Sequence, residues 1–136
     1  MATSSIYVNL PVAELERSKR FFTGLGYRVE PSMTDTNAAC IAISDSIFVM
    51  LLVHPFFANF TSKRIADTSA TAAAILCLST DERAEVDELV DRALAGGGSR
   101  SADPMDQGWL YCRSFQDPDG HLWEVIWTDP AGPSRC

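Results

Sequence analysis

Glu124 stands four residues after the turn sequence Asp117-Pro118-Asp119-Gly120, and Arg113 four residues before it. An antiparallel hairpin closed by that turn would set the two side chains opposite each other on one face. A guanidinium beside a carboxylate keeps it ionised, which makes a ligand anchor rather than a base tuned near neutrality. Trp109, Tyr111, Arg113 and Phe115 alternate along the preceding strand and share one face. Other chemistry is sparse. His54 and His121 are the only histidines, and His121, directly after the turn, reads as exposed. Cys40, Cys77, Cys112 and Cys136 form no Cys-x-x-Cys pair, so zinc-ribbon spacing is absent. The first three lie in apolar or strand-like runs, where buried reduced thiols are expected. Gly96-Gly97-Gly98 follows a helical segment instead of preceding one, so it reads as a helix stop and not as a phosphate cradle.

The elements that must position these groups follow from hydrophobic period. Ile6, Val8 and Leu10 alternate with Tyr7 and Asn9, a strand pattern over residues 6–12. Leu15, Ser18, Phe22 and Leu25, with Phe21 alongside, fall at helical spacing over 13–25, and Gly26 suits a left-handed cap. Strands are predicted over 27–30, 38–43 and 47–53, with a tight turn at Asp45-Ser46. The aromatic stretch His54–Phe60 suggests a helical turn, followed by a polar segment to Thr71. The pattern then recurs. A strand over 73–78 leads to Ser79 and Glu82, spaced as a capping box, and to a helix over 84–94. Strands follow over 99–102, 109–115 and 122–127. Each half therefore reads as strand, helix, strand, strand, strand.

Composition narrows the function classes. The 136 residues are 46% apolar and 21% charged, with 11 basic against 18 acidic side chains and a net charge of −7. Nucleic-acid binding needs a basic surface, so this balance argues against it. The apolar runs Ile47–Val53 and Ala72–Leu78 fall far short of the roughly 20 residues that cross a bilayer, so no membrane partner is expected. Residues 1–5 carry no basic stretch and no signal-like apolar block follows, so a cytoplasmic location is expected.

Two segments resemble a known family. Val12-Ala13-Glu14-Leu15, Arg17-Ser18, Phe21-Phe22 and Leu25-Gly26-Tyr27 are similar to the opening of the vicinal oxygen chelate superfamily, and Asp117-Pro118-Asp119-Gly120 with Glu124 to its closing segment. The run from Gly108 through Tyr111, Arg113-Ser114-Phe115 and His121 to Trp123-Glu124 is similar to a branch labelled predicted lactoylglutathione lyase. The superfamily includes metal-dependent glyoxalase I, extradiol dioxygenases, fosfomycin-resistance enzymes and metal-free bleomycin-binding proteins. The resemblance implies an α+β fold of two βαβββ modules, forming a curled mixed sheet around a cleft with helices on the outer face. Residues 1–136 are then one domain, with module one over about 5–54, a linker over about 55–71 and module two over about 72–128. It also implies a homodimer, for which the aromatic His54–Phe60 stretch would suit an interface.

In metal-dependent members four cleft positions hold a divalent cation. Here they fall on Tyr7, within Val49–Leu51, on Ile75 and on Glu124. Glu124 alone is a ligand type, and one carboxylate cannot hold a catalytic metal. The expectation is therefore no metal and no cofactor. With Glu124 in the cleft, strand parity adds Leu122 and Ile126 beside it and turns Trp123, Val125 and Trp127 under the helices. An unpaired arginine under a helix is costly, which assigns the Arg113 face to the cleft as well. The expected ligand-binding residues are Tyr7, Asn9, Phe48, Met50, Trp109, Tyr111, Arg113 and Glu124, lining an aromatic cavity for a small, partly apolar ligand. The alternative is a glyoxalase-type lyase with Glu124 as general base. Bland readings stand beside these: Glu124 as a structural partner of Arg113, and Trp109 and Tyr111 as core or interface aromatics.

Overall fold

Alternating apolar residues at the start of the chain build the edge of a mixed sheet. In the computed structural model, which describes residues 2–133, β1 (Ile6–Val12) pairs in parallel with β4 (Ile47–Val53). Between them run α1 (Leu15–Gly24), β2 (Arg28–Glu30) and β3 (Ala38–Ala42). The sheet order is β1-β4-β3-β2, with antiparallel pairing on either side of β3. Helix α1 turns Leu15, Ser18, Phe21 and Phe22 inward, the face expected from their spacing. Its end is fixed by Gly26 at φ 106°: Tyr27 N–H donates to Phe22 O and Gly26 N–H to Thr23 O, which together close a Schellman motif. After β4 a short helix, α2 (His54–Phe57), and a further turn through Phe60 occupy the aromatic stretch.

The second half repeats the order. β5 (Ile75–Ser79), α3 (Arg83–Ala95), β6 (Ser99–Arg100), β7 (Met105–Asp106), β8 (Leu110–Gln116) and β9 (Leu122–Thr128) form a sheet ordered β5-β9-β8-β6, with β7 also paired to β8. β5 lies parallel to β9, as β1 does to β4. The chain divides into two compact units between Asp67 and Thr68. The fold is thus α+β, with one βαβββ module in each unit. No helix among the described residues is long and apolar enough to cross a membrane. Cys136 lies outside the described residues, and Cys40, Cys77 and Cys112 are thiols, not disulfide halves. Cys40 is buried as expected, whereas Cys77 is exposed, because it sits on the uncovered face of an edge strand.

Two local expectations shift. The capping box of α3 is formed by Glu82 and Glu85, one turn later than the Ser79 and Glu82 spacing predicted, because Ser79 still belongs to β5. His121 is buried, not exposed. The reason is the turn before it. Asp117, itself buried, accepts hydrogen bonds from the Asp119 and His121 backbone N–H groups and from Trp123 Nε1, each at 3.0 Å. Burial raises the Asp117 carboxyl above its ordinary range, while His121 and these donors pull the other way.

Gly120 completes that turn at φ 87°. A Cβ there would also run into the carbonyl oxygen of Thr68, whose hydroxyl donates to Asp119 O. Gly97, at φ 110°, has nothing within 4 Å of such a Cβ. Left-handed backbone costs a non-glycine residue roughly 1–2 kcal/mol. Gly97→Ala should therefore lose about that much in urea denaturation, and Gly120→Ala distinctly more, because the Thr68 backbone must also move. Equal losses would show that the Thr68 segment does not seat on the turn.

Candidate functional site

Each sheet has one face under its helix; the other face of the first sheet is exposed along β1 but buried at Leu52 and along β3, where Ala38, Cys40 and Ala42 share it. On the first sheet, Tyr7 pairs with Phe48 and Asn9 with Met50 across parallel β1 and β4, which sets all four on one face. The Tyr7 and Phe48 rings stack, with centroids 4.6 Å apart and planes within 11°. Tyr7 is 44% exposed, and Phe48 and Met50 are partly exposed, whereas Val49 and Leu51 on the opposite face are buried. Asn9 Nδ2 donates to Tyr7 O, and among the described residues its amide oxygen accepts no hydrogen bond. The four residues expected here share a partly exposed face rich in aromatic and thioether surface.

On the second sheet, Glu124 belongs to the open face with Leu122, while Trp123 and Val125 are buried on the other, as parity predicted. Ile126 shares the Glu124 face but is buried. In register with Glu124 are Cys77 on β5 and Ser114 on β8. The Ser114 hydroxyl is committed elsewhere, donating to Ala102 O and accepting from Ala102 N–H. The rows on either side mix apolar and uncharged polar side chains: Ile75, Leu122 and Gln116 on one, Ser79, Ile126, Cys112 and Met105 on the other. Ile75 and Met105 are both more than half exposed, at 58% and 51%.

Arg113 does not join this face. It pairs with Val125, not with Glu124. The expected pairing assumed a two-residue turn, but Asp117 N–H donates to His121 O and Gly120 adds a left-handed residue, so the loop is Pro118-Asp119-Gly120. One extra residue moves the whole strand across the sheet. Arg113 instead reaches α3, where Nη1 donates to Asp87 Oδ1 at 2.8 Å and to Asp91 Oδ1 at 2.9 Å. The cost of a lone charge under a helix is avoided by pairing, and not by facing a cleft. Tyr111 follows the same parity: its hydroxyl donates to Asp87 Oδ1, and the Arg83 guanidinium lies 4.1 Å from its ring centroid. Trp109 precedes β8 and is held against the 129–132 turn, with Asp129 N–H donating to Trp109 O. Tyr111 and Arg113 thus belong to the attachment of α3.

A metal of the kind the superfamily uses does not fit the residues present. Tyr7, Val49–Leu51 and Ile75 supply no imidazole, carboxylate or amide, and the groups in register with Glu124 are one thiol and one engaged hydroxyl. Zinc sites use about three protein ligands, and hard cations several oxygens.

The known proteins agree with this architecture. Structures that cover most of the chain include hypothetical protein SA1046 from S. aureus (26% identical, 93% of this chain and 95% of that one, TM-score 0.77). A glyoxalase-related enzyme from Fulvimarina pelagi is 21% identical over 97% of this chain and 92% of its own, with TM-score 0.77. The bleomycin resistance determinant encoded on the transposon Tn5 is 21% identical over 93% and 98%, with TM-score 0.64. The chain has the glyoxalase/bleomycin-resistance fold. Residues 5–44 match the family model described as bleomycin resistance protein-like N-terminal, a stretch that contains β1 and α1 and carries the motif from Val12 to Tyr27. No curated protein matches the chain.

The Arg113 assignment has a measurable consequence. The Tyr111 hydroxyl first, and Arg113 after it, hold the Asp87 carboxyl below its ordinary range. A lowered carboxyl contributes stability that is present above its unfolded pKa, near 4, and is lost as pH falls through the folded value. Arg113→Ala should cost about 1 kcal/mol at neutral pH, given the solvent screening of both aspartates. The gap to the parent should narrow below about pH 4. Unchanged stability at neutral pH would contradict the tie to α3.

Proposed function

We propose that this chain binds a small, partly apolar molecule on its open sheet faces without a metal, as a protein related to the bleomycin-resistance group. The observation that carries the reading is the Tyr7–Phe48 stack, exposed on its Tyr7 side beside Asn9 and the half-buried Met50. Exposed stacked aromatics flanked by one amide offer a flat apolar surface and one directional polar contact, the usual make-up of a small-ligand site. The match of residues 5–44 to the bleomycin-resistance-like model supports the same direction, since that stretch supplies β1.

A lyase of the lactoylglutathione type, with Glu124 as general base, is less well supported. Such a reaction must stabilise a developing enediolate, which metal-dependent enzymes do with a Lewis acid worth several kcal/mol. Arg113 is the cation that sequence placed nearby, and it is turned to Asp87 and Asp91 instead. A hemithioacetal isomerisation assay on the purified protein, with and without added divalent ions, distinguishes the two readings.

Binding is tested with metal-free bleomycin by calorimetry. Phe48→Ala should weaken binding at least tenfold, because removing one ring of a stacked pair takes away both contact area and its support. Unaltered affinity would place the ligand elsewhere. Homodimer formation belongs to the same proposal, motivated by the exposed edge-strand residues Ile6 and Ile75 and by Phe60, which is 69% exposed. Sedimentation equilibrium should give about twice the 14.9 kDa chain mass. A species of one chain mass throughout the micromolar range would contradict it.

A further inference from the structure

Among the described residues Glu124 is the one carboxylate on its sheet face, where its neighbours are uncharged: Leu122 and Ile126 along its own strand, Ile75, Cys112 and Met105 in the adjoining rows, with Ser79, Ser114 and Gln116 as the polar members. It is partly buried. Among the described residues no hydrogen bond or ion pair reaches its carboxylate. The hydroxyl in register with it, and the arginines Arg83 of α3 and Arg113 of β8, are otherwise engaged. Ser114, in register with it, is bonded both ways to the Ala102 backbone. Arg113, on the neighbouring strand, is bound to Asp87 and Asp91 on the opposite face. Arg83 is held by Asp106, at 2.6 Å for its shorter contact. A negative charge set beside apolar side chains is incompletely solvated, and a complementary cation that brings its own apolar body gains on both counts. The overall charge of −7 favours the approach of the same kind of molecule.

We infer that the open face of the second sheet recognises an apolar organic cation, a primary ammonium or amidinium on an aromatic or aliphatic body, with Glu124 as its counter-charge. This rests on the small-molecule reading above and gives that reading a ligand class. The ammonium meets the Glu124 carboxylate, and the body lies over Ile75 and Leu122. Neutral molecules of the same shape keep the apolar contact and lose the charge pair. Anions are repelled.

The test compares 2-naphthylmethylamine, protonated at neutral pH, with 2-naphthalenemethanol and 2-naphthoate, titrated into the full chain at low salt. The expected order is amine at least tenfold tighter than alcohol, with the carboxylate weakest, and an amine preference that shrinks in 0.5 M sodium chloride. Glu124→Gln should bring the amine to the affinity of the alcohol and leave the alcohol unchanged, with circular dichroism checking the fold of the variant. The salt series on the parent protein gives the answer independently of that variant. Equal affinity for amine and alcohol in the parent, or an amine preference that survives Glu124→Gln, overturns the cation assignment while leaving a small-molecule site intact. Failure of all three probes to bind also overturns the cation assignment, while the small-molecule reading is decided separately by the bleomycin titration of the parent and Phe48→Ala.

Discussion

Asp117 accepts hydrogen bonds from the Asp119 and His121 backbones and from the Trp123 indole inside the β8–β9 turn, and the arrangement of the second sheet follows from this. The carboxylate satisfies donors that the turn would otherwise bury unpaired, at a cost of about 1–3 kcal/mol each. It fixes a loop of Pro118-Asp119-Gly120, closed by Asp117 N–H on His121 O. The register is then set: Ser114 faces Glu124, and Arg113 faces Val125. Trp123 is carried inward, where its ring lies parallel to that of Phe115 at 6.2 Å between centroids. Every side chain of β8 and β9 takes its face from that one turn.

The two sheet faces consequently divide the chemistry. The helix-facing side holds the charged and aromatic network of Arg83, Asp87, Asp106, Tyr111 and Arg113, which binds α3 and β7 to β8. The open side holds Glu124 and Cys77 among uncharged rows. In the first module the same division leaves Tyr7 and Asn9 exposed and Phe48 and Met50 partly exposed, while Val49 and Leu51 pack on the α1 side. Groups that look alike in sequence thus do different work. Tyr7 offers an exposed ring, whereas Tyr111 is a hydrogen-bond donor to the helix.

Much of this was legible in the residues. Period-two and period-3.6 patterns located β1, α1, β4, α3 and β9 to within a few residues, because each has one strongly apolar face. Parity grouped Tyr7, Asn9, Phe48 and Met50 on one face and Glu124 with Leu122 and Ile126 on another, and the register groups them the same way. Arg113 and Tyr111 were misplaced because the turn length carries a parity that hydrophobicity does not reveal. Asp87 and Asp91, four residues apart on α3, could have revealed it, since that spacing puts two carboxylates on one helix face. β7 was missed because two residues, Met105 and Asp106, show no period. His121 read as solvent-facing, since nothing in its local sequence shows that Asp117 would turn inward and draw the chain with it.

The central claim is that ligand binding belongs to the open sheet faces and not to the α3 network. Amide chemical-shift mapping of the isotope-labelled protein, titrated with metal-free bleomycin and then with 2-naphthylmethylamine, tests it directly. The account predicts that shifts concentrate at Tyr7, Asn9, Phe48 and Met50 or around Cys77 and Glu124, with α3 little affected. Shifts confined to Asp87, Asp91, Tyr111 and Arg113 would contradict it.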